Sequence, residues 1–181
     1  MTPYAYPPGQ EPTFWDPDPP APEYRFALGR ATPSTTSALP LIAIRMNPSY
    51  ADQSNSDKTV NRIIGASVDL GYAGWVILNL YPERATSPKN LTPYDAALSI
   101  ANCAAIERVL TAYSATEVLG AWGNHPNSTI RLAKIDVRTA LLRLGVRVFH
   151  LDDLTTKNEP RHPTPRGRPL PLAGPKQTFS W

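Results

Sequence analysis

The chain has 181 residues, 41% of them hydrophobic, a length and composition that suit one domain with a real core plus shorter tails. Its net charge of +3 and pI of about 9.1 are mildly basic, compatible with an anionic partner without being diagnostic of one. A single cysteine, Cys103, excludes an intrachain disulfide framework and a cysteine-based zinc site, and no apolar run reaches the roughly 18 residues of a membrane span.

The first stretch, "MTPYAYPPGQEPTFWDPDPPAP", is dense in proline and carries acids but no Lys or Arg. Proline lacks the backbone donor that helices and central strands need, so residues 1–22 are expected to form an extended arm that contributes little to folding. The stretch also lacks the basic-then-apolar order of a secretory leader, and the cytoplasm is the expected compartment. "EYRFALGR" reads as an edge strand. Leu39–Met46 is an apolar run and reads as a core strand. From Asp57 the residues Val60, Ile63, Ile64 and Val68 recur at helical spacing; Ser56 or Asp57 can cap that helix and Gly71 can end it. Gly74–Leu80 reads as the next strand and Pro93–Tyr113 as a long helix with proline in its first turn. Glu117–Trp122 is a strand, Ile130–Leu144 a helix ended by Gly145, and Val146–Leu151 the last strand.

Strands alternating with helices predict right-handed crossovers. The expected fold is a three-layer α/β sandwich whose central, mostly parallel, four-stranded sheet carries one edge strand. One domain is expected over residues 23–172, with 173–181 as a tail.

In such sheets ligands bind beyond the carboxyl ends of the strands. The unusual polar residues fall on that side. Asn47, Pro48, Ser49 and Tyr50 follow the first core strand. Asn79 ends the second, and Tyr81 and Arg84 come after it. Asn124 and His125 follow the third, and Arg161 and His162 come after the fourth. Each has an ordinary structural reading on its own: a turn at Asn47-Pro48, a backbone bond for Asn79, a surface ion pair for Arg84, packing for the tyrosines. Four such groups at four equivalent strand ends point to one pocket for a flat, hydrogen-bonding ligand. Thr59, in the first turn of the helix after Asn47, adds free amides and partial positive charge. Arg161, Arg166 and Arg168 form a basic segment suited to phosphate. Neither a G-x-G-x-x-G nor a G-x-x-x-x-G-K-[ST] motif is present, so dinucleotide and P-loop readings lose their usual support. His125, His150 and His162 show no local ligand spacing, so no metal or other cofactor is expected.

The motifs "MNPSYAD", "DKTVNR", "LNLYPERAT", "AWGNH" and "RHP", in this order, resemble a bacterial and phage family of uncharacterised proteins, over about Tyr24–Leu172. That family is more distantly similar to the uracil-DNA glycosylase superfamily. The resemblance implies a glycosylase-like fold and roles for the matching residues. Asn47 would position the hydrolytic water; as an amide it orients water and takes no proton. Asn79 would read the base edge, and His162 would stabilise charge on the departing base. Ser49 stands where one branch has a tyrosine that excludes bulkier pyrimidines, so a larger base would fit.

The expected function is recognition of a nucleobase or nucleotide, with or without surrounding DNA, and hydrolysis of its N-glycosidic bond. Two alternatives of other classes stand beside it: a non-catalytic nucleotide- or nucleic-acid-binding module of the same fold, and a phage enzyme acting on free nucleotides.

Overall fold

A computed structural model describes residues 4–31, 39–125, 127–164 and 172–181. The chain forms β1 (Phe14–Asp16), β2 (Ala27–Arg30), β3 (Leu41–Arg45), α1 (Lys58–Asp69), β4 (Trp75–Asn79), a 3-10 turn (Pro88–Asn90), α2 (Ala96–Ala112), β5 (Glu117–Gly120), α3 (Ser128–Arg143), β6 (Arg147–His150) and β7 (Gln177–Thr178). All seven strands join one sheet in the order β1-β2-β4-β3-β5-β6-β7. The inner four, β4-β3-β5-β6, are parallel. Antiparallel strands flank them, β2 and β1 on one side and β7 on the other.

The layering follows from the two-residue period of strands. Ile42, Ile44, Val76, Leu78, Val118 and Val148 pack with Ile106 and Leu110 of α2 and with Ile130, Val137 and Leu141 of α3. The alternate residues Leu41, Ala43, Trp75, Ile77, Leu119 and Phe149 pack with Val60, Ile63 and Ile64 of α1. Handedness explains the division. The chain leaves β3 through α1 toward β4, then reverses and runs through α2 to β5 and through α3 to β6. Right-handed crossovers in opposite directions put their helices on opposite faces.

The caps match the local sequence. Asp57 accepts from the Val60 amide, Asp95 from Ala97 and Leu98, and Asn127 from Ile130, each at a helix start. No helix among the described residues is long and apolar enough to cross a membrane.

Two segments expected outside the core are built into it. In the proline-rich segment, Phe14–Asp16 pairs with β2, and Tyr6, 7% exposed, stacks on Trp75 with ring centroids 5.9 Å apart. Its aromatic residues supply the burial that its prolines deny the backbone. In the last nine residues, Gln177–Thr178 pairs with β6, and Trp181 stacks on Trp122 at 5.5 Å.

Candidate functional site

The reversal of chain direction falls between β3 and β5, and a cleft of about 800 Å³ opens beyond their carboxyl ends. The end of β3 supplies Arg45, Met46 and Asn47, the following turn Ser49 and Tyr50, and the start of α1 Asp57, Lys58 and Thr59. Ala85–Pro88 forms another wall. Trp122–Asn124, after β5, faces His162 and Thr164 of the segment after β6.

Arg45 is a charge on an otherwise apolar strand. It is 5% exposed, and its Nη1 lies 3.2 Å from Asp57 Oδ2. Asp57 Oδ1 accepts from the Val60 amide at 2.8 Å. Burial alone would raise the Asp57 carboxyl, but the Arg45 charge and the Val60 amide outweigh it and hold it below the usual range. The strand, the helix start and the cleft floor are thus tied by one ion pair.

Asn47 is buried, and its Nδ2 donates to the carbonyls of Pro48 at 2.9 Å and Ala85 at 2.8 Å. These bonds hold the β3 turn against the segment after β4. With the amide nitrogen so engaged, the side-chain oxygen is the atom left to accept a hydrogen bond from a ligand or water.

His162 is placed by two glycines, Gly120 at the end of β5 and Gly123 just after it. A Cβ on Gly120 would stand 2.8 Å from the Pro160 ring, and Gly123, at φ +70°, donates its backbone N–H to Pro160 O at 2.9 Å. The imidazole Nδ1 accepts from the Thr164 amide at 3.2 Å, which puts the proton of the neutral ring on Nε2. Thr164 Oγ1 lies 3.2 Å from the same Nδ1 and 3.0 Å from Thr59 Oγ1. Burial, reinforced by the nearby Arg45 charge, pushes the His162 pKa down to about 4. At neutral pH it is an uncharged donor.

The other expected site residues divide. Ser49, Tyr50 and Thr59 border the cleft, as does Asn124, whose Oδ1 accepts from Thr155 Oγ1 at 2.7 Å. Pro48 contributes its carbonyl to the Asn47 amide. Asn79 is not brought into the cleft. It has no exposed surface, and its Nδ2 donates to Arg25 O at 3.3 Å, beneath the antiparallel edge of the sheet. Tyr81 is equally enclosed, and its hydroxyl accepts from the Asp95 amide at the start of α2. Arg84 donates to the carbonyls of Tyr50 and Ala51 and fixes the β3 turn from behind. Arg161 donates to Asp153 O. Arg166 and Arg168 lie outside the described residues.

His125 turns away from the cleft to a smaller hollow beside α3. Its Nδ1 comes within 3.3 Å of Glu159 Oε1 but lacks hydrogen-bond geometry, so the contact is one of proximity only. Glu159 is 5% exposed and accepts from Trp122 Nε1 at 2.8 Å and from Lys134 Nζ at 2.6 and 2.7 Å. It anchors the segment that carries His162. Sequence reasoning missed Arg45 and Glu159. The signal for Arg45 was its charge within "LIAIRM"; Glu159 had none beyond its place before Pro160. Cys103 is half-buried, and burial pushes its thiol up to about 11, away from nucleophilic use.

No curated protein and no solved structure matches the chain. A family model described as "Protein of unknown function (DUF1643)" matches residues 25–164, a stretch that contains β2 through β6, the cleft and His162. The chain belongs to the DUF1643 family.

Proposed function

We propose that the β3–β5 cleft binds a nucleobase as part of a nucleotide or nucleic acid, and that the protein hydrolyses its N-glycosidic bond. The carrying observation is the pairing of a neutral His162, with its proton on Nε2, and the spare side-chain oxygen of Asn47 at the border of one cleft. In this reaction the C–N bond breaks with its electron pair going to the base. His162 Nε2–H then donates to the base oxygen on which negative charge gathers. Asn47 accepts from the water that adds to the sugar carbon, and that water's proton is lost to solvent or to the released base. Such chemistry draws on positioning and electrostatics more than on proton abstraction. With Asn79 enclosed, the amide open to a base edge is that of Asn124. The likeness of "MNPS", "AWGNH" and "RHP" to glycosylase motifs supports the same reading.

One observation favours the non-catalytic alternative. Asp57 is the sole carboxylate among the described cleft-lining residues, and both its oxygens are engaged, so among the described residues no free carboxylate faces the cleft as a general base.

The deciding experiment offers the protein nucleosides, nucleotides and DNA with ordinary and modified bases, and scores released base beside binding affinity. Under the hydrolase reading His162→Ala lowers turnover more than it weakens binding. Binding without release from any substrate leaves the binding module.

A further inference from the structure

Beside the cleft, on the outer side of the segment that carries His162, lies a hollow of about 230 Å³ lined by His125, Arg131, Lys134, Arg138, Glu159 and Trp181. We infer that this hollow binds phosphodiester groups, and that its occupant is the backbone of a single-stranded nucleic acid whose base enters the cleft. The inference rests on the cleft being a nucleobase site, and it names the substrate class: a strand rather than a free nucleotide.

The charge balance is the first ground. Arg131, Lys134 and Arg138 stand at i, i+3 and i+7 of α3 and share one helical face. Glu159 is the hollow's one lining carboxylate, and it is buried and saturated by Lys134 and Trp122. It leaves Arg131 and Arg138 exposed and without an ion pair among the described residues. Lys157, outside the lining, lies near enough to add its positive charge to the field at His125. Elsewhere on the surface Arg108, Arg143 and Lys176 each meet a carboxylate. Three cations, two of them unpaired, thus face one hollow where an anion can reach them.

Shape and continuity are the second ground. Asn124 lines the cleft while its chain neighbour His125 lines the hollow; likewise His162 borders the cleft and Glu159 the hollow. A strand with one base in the cleft would pass its backbone across Asn124–His125 onto α3. Arg131 and Arg138 are about 10 Å apart along the helix axis, a span over which each can meet its own phosphate of one strand. Trp181, half-buried at the rim and stacked on Trp122, adds an aromatic ring beside these cations, the kind of group single-strand binders use against bases.

The test is fluorescence anisotropy with a labelled single-stranded oligodeoxynucleotide across a salt series. It compares the wild type with Arg131→Ala/Arg138→Ala and with Arg147→Ala, an exposed change of the same kind at the start of β6, outside the lining of the hollow. Each phosphate contact contributes about 0.7 to the slope of log affinity against log salt, so the double variant should lose about 1.4 from that slope. It should also bind the strand at least roughly tenfold more weakly at low salt. Arg147→Ala should match the wild type, and binding of a mononucleotide should be unchanged in all three. An unaltered slope in the double variant, or an equal loss in Arg147→Ala, overturns the site. Inorganic phosphate that displaces the strand at micromolar concentration overturns the strand as its occupant. Base release is scored separately: strand binding with the expected slope but no release from any substrate retires the hydrolase and leaves the hollow, whereas release from a strand unaffected by the double variant retires the hollow alone.

Discussion

A Cβ added to Gly123 would stand 3.1 Å from the Cβ of His162 and 3.4 Å from its backbone nitrogen. Gly123 also sits at φ +70°, where a side chain is strained whatever the space. Gly123→Ala should therefore cost about 1–2 kcal/mol and lower the melting temperature by roughly 2–8 °C. Because the segment that must yield carries His162, ligand binding should fall as well, even at temperatures where the variant is fully folded. Retained affinity in a destabilised variant would show that the cleft does not depend on this contact.

The half-buried, neutral His162 makes stability depend on pH. Its folded pKa of about 4 lies below the ordinary value of 6.5, so the unfolded chain binds the extra proton first. The contribution is fully present above pH 6.5 and is lost as pH falls toward 4, by at most about 1.4 kcal/mol per pH unit and about 3 kcal/mol in all. Denaturant titrations between pH 7 and 4 should show this slope in the wild type and a shallower one in His162→Gln. His125, also depressed by burial, adds a slope of the same sign. Asp57, whose carboxyl is held below its usual range, loses its contribution only at lower pH.

Removing the Glu159 charge should destabilise the fold through Lys134 rather than through Glu159 itself. Lys134 Nζ lies 5.4–5.8 Å from the ring centroids of Trp122, Phe179 and Trp181, with Glu159 as its carboxylate. Glu159→Gln leaves that ammonium uncompensated among rings and should cost about 3 kcal/mol. Lys134→Met added to it should restore most of the loss in urea denaturation, since an apolar replacement of a buried pair is near neutral. A double variant no more stable than Glu159→Gln would disprove the pairing.

The proline-rich segment gives a sharper contrast than its composition suggests. Tyr6→Ala removes a ring stacked on Trp75 and a hydroxyl that donates to Asp52 O, and should cost about 3–5 kcal/mol. Tyr4→Ala, 44% exposed, should stay within about 0.5 kcal/mol. Equal, small effects on thermal melting would return the segment to the role of a loose arm.

The central strands and helices were legible because their signals are local. Apolar runs mark β3, β4, β5 and β6, helical spacing marks α1, α2 and α3, and each predicted boundary lies within a few residues of the observed one. The outer strands were not legible. Phe14–Asp16 is short and set among prolines, and Gln177–Thr178 is two polar residues; both exist through their partners in β2 and β6. The site was readable as a list of strand ends but not as a surface. Asn47 and Asn79 each lie at the end of a parallel strand, yet Asn79 is in register with Arg45, two residues before Asn47. It therefore ends deeper in the sheet, beneath Arg25, while the cleft opens beyond it.

The stacked indoles of Trp122 and Trp181, 5.5 Å apart with planes inclined by 12°, give the protein an optical gauge of its own. Transition dipoles that close couple, so the pair should dominate the near-ultraviolet circular dichroism. One member of the pair is bonded through Nε1 to Glu159, three residues from His162, and the other rims the hollow on α3. Any occupant that shifts the His162 segment or covers α3 would alter that signal, so ligand capture could be followed without a label on either partner.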